Sequence, residues 1–112
     1  MTDEELVDAL KALAHPVRLR ILQALSGTER NVGEVDDIAA IGQPTLSQQL
    51  AVLRNAGLVK TRKDAKLVYY RIDEGRLGRV VGATGELGGL SSAPIRPSRQ
   101  PAPGVANFAK LG

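Results

Sequence analysis

At Gly57 the apolar residues stop recurring at every third or fourth position and begin to alternate. That switch of period ties the chain to a run of helices followed by strands. Upstream of it, Leu46, Leu50 and Leu53 line one helical face and Asn55-Ala56-Gly57 reads as a C-terminal cap. Downstream, Leu58-Val59-Lys60-Thr61-Arg62 and Leu67-Val68-Tyr69-Tyr70-Arg71-Ile72 are rich in β-branched and aromatic residues, with Lys63-Asp64-Ala65-Lys66 between them. They read as a two-stranded hairpin with a basic tip.

Three further helices precede the switch. Leu6, Leu10 and Leu13 predict an amphipathic helix over residues 3–14, with Thr2 or Asp3 near its start. Pro16 opens a second, expected to bury Val17, Ile21, Leu22 and Leu25 and to stop at Ser26-Gly27. Asn31 followed by Glu34 is a capping-box signal for a third, with Val35, Ile38 and Ala39 as its apolar stripe and Gly42 as its end. Gln43-Pro44 then starts the helix of Leu46 almost at once, so two short helices meet at a tight turn, a helix-turn-helix.

A fifth helix is expected from Asp73, with Leu77, Val80, Val81 and Leu87 as apolar positions. Its glycines, Gly75, Gly78, Gly82, Gly85 and Gly89, fall on one stripe. Each interior glycine costs a helix about 1 kcal/mol relative to alanine. Either the stripe admits the same helix of a second subunit at close range, or the helix is short and frayed. Residues 91–112, with Pro94, Pro97, Pro101, Pro103 and Gly104, read as a flexible or polyproline-like tail. The expected organisation is one folded domain over 1–90, mainly α with a β-hairpin (α+β), followed by the tail.

Charge is unevenly spread. Residues 1–40 carry eight acids against four bases, whereas residues 41–72 carry Arg54, Lys60, Arg62, Lys63, Lys66 and Arg71 against Asp64 alone. Such a stretch suits a polyanion. The helix presented by the turn offers Gln43, Thr45, Ser47 and Gln48, with Gln49 at the margin, away from its leucines. Gln can pair with N6 and N7 of adenine, and hydroxyls serve bases or phosphates. Arg62, Lys63 and Lys66 at the hairpin, with Arg54, are placed for backbone contact. Double-stranded DNA is therefore the expected partner.

The chain has no Cys and one His, which excludes disulfides, thiolate switches and thiolate or multi-histidine metal sites. His15, before a helix-opening proline, reads as a packing or capping residue. Arg18 and Arg20 are open between phosphate contact and salt bridges to the acidic first helix, and Tyr69 and Tyr70 should alternate between core and surface. No nucleophile–base pair or phosphate loop is present, so no enzymatic activity and no cofactor is expected. Without an apolar run of about 18 residues or a basic leader, a cytoplasmic protein with no membrane partner is expected. A protein-interaction module without specific DNA binding is the alternative.

His15-Pro-Val-Arg-Leu-Arg-Ile-Leu22, Val32-Gly-Glu-Val35, the run from Gln43 to Val59 and Val68-Tyr-Tyr-Arg-Ile72 resemble the ArsR/SmtB family of small bacterial winged-helix repressors. The resemblance spans about residues 5–80. It implies a winged helix-turn-helix homodimer, α1-α2-α3-α4-β1-β2-α5, bound to an inverted repeat and released by a signal. It places Thr45, Ser47, Gln48 and Gln49 in the recognition helix and Arg62, Lys63 and Lys66 in the wing. Its dimer interface, between first and last helices, would draw on Leu6, Leu10, Leu77, Val81, Gly78, Gly82 and Gly85. The recognition helix is most similar to the branch that senses reactive sulfur through two cysteines, which this chain lacks. Other members sense metals; here the third helix offers only Glu34, Asp36 and Asp37, the last only Asp73, Glu74 and Glu86. No metal is assigned, and the inducer stays open.

Overall fold

The computed structural model describes residues 1–90; the expected tail, 91–112, lies outside them. Eight elements follow in order: α1 (Asp3–Leu13), α2 (Pro16–Ala24), β1 (Arg30–Asn31), α3 (Val32–Ala39), α4 (Thr45–Asn55), β2 (Val59–Asp64), β3 (Leu67–Ile72) and α5 (Glu74–Leu87). The chain divides into two compact units, Met1–Val81 and Gly82–Gly112. Among the described residues no helix is long and apolar enough to cross a membrane.

Local chemistry sets the helix ends. Thr2 Oγ1 accepts from the Glu5 amide at 3.1 Å while Glu5 Oε1 accepts from the Thr2 amide at 2.8 Å. The Thr2 amide, and then Arg76, hold the Glu5 carboxyl below its ordinary pKa. Asn31 and Glu34 form the second such box, both bonds 2.9 Å, and His15 caps α2 by accepting from the Val17 amide at 3.2 Å. Each satisfies amides that lack an intrahelical partner. At the other end of α4, Gly57 takes φ +78°, its amide donates to Arg54 O, and the Leu58 amide reaches back to Leu53 O, each at 3.0 Å. Leu53 and Leu58 are both buried, the apolar contact that accompanies this reversal.

The first unit encloses its core between α1 to α4, the sheet and the first turns of α5. Ile21, Leu25, Val35, Leu46, Leu50, Leu53, Leu58 and Val80 are fully buried, and no polar side chain joins them. Several expectations need correction. In α1 the buried residues are Ala9 and Ala12; Leu6 and Leu13 are half-buried and Leu10 is exposed, because small residues let α1 lie close and turn its leucines toward the rim. Ile38 is 53% exposed: the core face of α3 is set by Val35 and Ala39 one turn apart, and position 38 rotates off it. In α5 Val80 is buried and Leu77 half-buried, whereas Val81 and Leu87 are exposed. The helices α2 and α3 end earlier than expected, at Ala24 and Ala39, with the left-handed Ala40 as the C-cap of α3 ahead of Gly42.

The hairpin is also more than a hairpin. Its two strands pair antiparallel from Val59↔Ile72 to Asp64↔Leu67, and β1 adds Arg30↔Tyr70 and Asn31↔Tyr69 on the far side of β3, giving the order β1-β3-β2. A two-residue polar strand has no period to announce it. Its effect is to tie the wing to the segment that opens α3.

Candidate nucleic-acid interface

The turn between α3 and α4 is held by one carboxylate. Asp36 Oδ1 accepts from the amides of Ile41 at 2.9 Å and Gly42 at 2.8 Å, with Ala40 at φ 54° and Gly42 at φ 86° completing the reversal. Glu34 is committed to its capping box. Two of the three carboxylates of α3 are thus engaged in local hydrogen bonds, and among the described residues no three His, Cys, Asp or Glu side chains gather at one place.

With Leu46, Leu50 and Leu53 facing inward, a rotation of 100° per residue points Gln48 and Asn55 directly outward, with Ser47 and Arg54 along one edge and Thr45 and Gln49 along the other. Thr45, Ser47, Gln48 and Arg54 are exposed, as is Gln43 before the helix. Ser47 Oγ lies 2.7 Å from Gln43 Oε1, so these two are linked before any partner arrives. Gln49 stands apart: it is half-buried, and its Oε1 accepts from Arg18 Nη1 at 2.8 Å. An Arg side chain only donates, so the carbonyl of Gln49 is engaged within the chain. No side chain caps the N-terminus of α4.

Arg18 and Arg20, open between phosphate contact and salt bridges to α1, take a third course that Arg30 shares. Arg18 Nε donates to Ala12 O at 2.7 Å and its Nη2 to Lys11 O at 3.2 Å, at the end of α1. Arg20 bonds Ala39 O and Ala40 O at the end of α3, and Arg30 Nε bonds Ala24 O at 2.8 Å at the end of α2. Each places a cation on the carbonyl end of a helix, where the dipole favours it. No sequence pattern signals these contacts, because carbonyls belong to every residue alike.

At the wing, Lys63 and Lys66 are exposed. Arg62 is held instead: its Nη2 is 2.8 Å from Glu29 Oε1, its Nε bonds both Glu29 oxygens at 2.9 Å, and its Nη1 is 3.5 Å from Asp64 Oδ2. The guanidinium also lies 4.8 Å over the Tyr69 ring. The hydrogen bond from Arg62 lowers the pKa of Glu29, and the same bond raises that of Arg62. Tyr70, on the opposite face, packs against the core. Arg76, which the sequence reading left unassigned, reaches Glu5 Oε2 at 3.8 Å and lies over Gly57.

Of the expected interface residues, Leu6, Leu10, Leu77, Gly78 and Val81 lie in the first unit and Gly82 and Gly85 in the second. Leu6 and Leu77 pack partly on the core, while Leu10 and Val81 are exposed. A Cβ added at Gly78 or at Gly82 would meet nothing. At Gly85, in the second unit, it would touch only Leu90 at 3.7 Å.

A profile described as a helix-turn-helix domain matches residues 13–62. The biofilm growth-associated repressor of Xylella fastidiosa is 47% identical over 79 residues, 70% of this chain and 69% of that protein. The chain belongs to the ArsR/SmtB family. Within that family, the HTH-type transcriptional repressor SmtB of Mycobacterium tuberculosis is 37% identical over 81 residues, 69% of this chain and 60% of that protein. The crystal structure of the transcriptional repressor BigR from Xylella fastidiosa superposes with a TM-score of 0.61 at 42% identity, over 78% of this chain and 96% of that one. This ArsR/SmtB-family chain is a DNA-binding transcriptional regulator with a winged helix-turn-helix fold.

Proposed function

We propose that this regulator is a homodimeric repressor that reads an inverted repeat in duplex DNA. Gln43, Thr45, Ser47 and Gln48 meet base edges; Arg54, Lys63 and Lys66 grip the flanking phosphates. The observation that carries this reading is the α4 surface: an uncharged, hydrogen-bonding helix end, exposed and carried on a turn that Asp36 holds rigid, beside two free wing lysines. A helix end of that shape enters the major groove, and phosphate contacts from a neighbouring wing fix its register. Gln49 contributes at the edge with its amide NH2 alone.

The homodimer follows from supply and demand of apolar surface. A domain of this size buries only about 60–65% of the surface of its unfolded chain, and α1 leaves Leu10 exposed. A two-fold pair would set two recognition helices about 34 Å apart, one turn of DNA, which calls for a palindromic site.

Selection of bound duplexes from a random pool tests this. The expected product is an inverted repeat, bound with a log–log salt slope near −0.9 per neutralised phosphate, or roughly −5 for about six. A pool without enrichment, or binding indifferent to salt, refutes the reading.

A further inference from the structure

We propose that Arg62 positions the wing and is not one of its phosphate contacts, with Glu29 as its anchor on the body of the protein; this rests on the duplex-binding reading above. The argument begins with where Arg62 goes. Its register partner on β3 is Tyr69, and Tyr69 in turn faces Asn31 of β1. The side chain crosses the Tyr69 ring and ends on Glu29, immediately before β1. One guanidinium therefore spans all three strands on one face of the sheet, with its fork closed on a carboxylate.

That geometry is strong in kind: a two-oxygen fork with the plane stacked on an aromatic ring is what Arg does and Lys does not. Its other ion-pair partner, Asp64, also sits on β2 near the tip. Of its five N–H donors, Nε and one on Nη2 go to Glu29 and one on Nη1 lies toward Asp64, so the Nε–Nη2 edge of the fork is closed on protein although the side chain is 51% exposed. Lys63, one residue on, carries no such tie and faces solvent. The remaining link between wing and body on that side is the two-residue β1, too short to fix the angle of a projecting hairpin by itself.

Positioning and long-range charge predict opposite signs for one substitution. Glu29→Ala adds a unit of positive charge to a DNA-binding protein, which by charge alone tightens binding. If Glu29 holds the wing, the same change weakens binding, by about fivefold per wing, the conversion of what a well-formed exposed pair is worth. Three readouts on the operator duplex decide it. Glu29→Ala is expected to bind more weakly with an unchanged salt slope. Arg62→Ala is expected to bind more weakly, again with an unchanged slope, and the double variant to be no worse than Arg62→Ala alone. Lys63→Ala, the control, is expected to lower the slope by about 0.9 per wing.

Tighter binding by Glu29→Ala, a slope reduced by Arg62→Ala, or additive losses in the double variant each overturn the proposal. Should Glu29→Ala fail to fold, as judged by thermal melting, the slope of Arg62→Ala decides alone. If Lys63→Ala lowers the slope while Glu29→Ala tightens binding, the duplex-binding reading stands and only the positioning role falls. An unchanged slope in both Lys63→Ala and Lys66→Ala removes the wing from the interface and overturns the positioning role, while the duplex selection decides the α4 reading separately.

Discussion

At the scale of single residues, exposure was easier to foresee than commitment. The helical period separates Gln48 from Leu46, Leu50 and Leu53 without any tertiary information, and Gln48 emerges outward and unbonded. Gln49 and Arg62 were equally visible as polar side chains on the right elements, yet their partners, Arg18 and Glu29, lie 31 and 33 positions away in sequence. Gln48→Ala is therefore expected to relax base preference by about 1–3 kcal/mol at one position of each half-site, read as flattened specificity in competition between duplexes. The Glu29–Arg62 pair also sets a pH response. The Glu29 pKa is depressed, chiefly by the hydrogen bond from Arg62 and then by the charges of Arg62 and Arg71, while Asp64 faces Arg62 from the other side, so the pair's contribution is present above the ordinary carboxylate range, about 4.3, and is lost as pH falls through the lower folded value. Duplex affinity corrected for net charge should be flat from about pH 8 to 5 and decline below.

Helix and strand boundaries were legible wherever capping side chains or a reversal glycine wrote them into the chain. Thr2 with Glu5, Asn31 with Glu34 and Gly57 are local devices, and each operates as its pattern implies. Gly57 combines a positive φ with Arg76 close above, 3.1 Å from where a Cβ would sit. Gly57→Ala is expected to lower stability by about 1–2 kcal/mol, the cost of a left-handed non-glycine residue, measured by urea denaturation; no change would mean that the reversal relaxes freely. What local reading could not supply is β1, whose two polar residues are a strand only because β3 lies beside them, and the arginines that close α1, α2 and α3, whose acceptors are backbone carbonyls.

On the scale of the whole molecule, the first unit completes a core yet leaves Leu10 of α1 exposed, and among the described residues no neighbour requires glycine at positions 78 and 82 of α5. The Cβ of a residue at position 82 meets open space, and replacing a helical glycine removes an entropic cost. Gly82→Leu should therefore leave the chain folded while shifting a homodimer toward monomer, seen by sedimentation velocity over a range of concentrations. A dimer of unchanged affinity would show that no second helix approaches that stripe.

By itself the sequence determined the helices, the turn between α3 and α4, the paired strands of the wing and the face of α4 left for a partner, because these depend on periods of 3.6 and 2 and on caps within four residues. Only the tertiary structure decided which polar groups remain free. Hydrogen bonds between distant residues follow from packing, so Gln49 and Arg62 were spoken for by neighbours the chain brings together only when folded, while Gln48, Lys63 and Lys66 were left to the solvent.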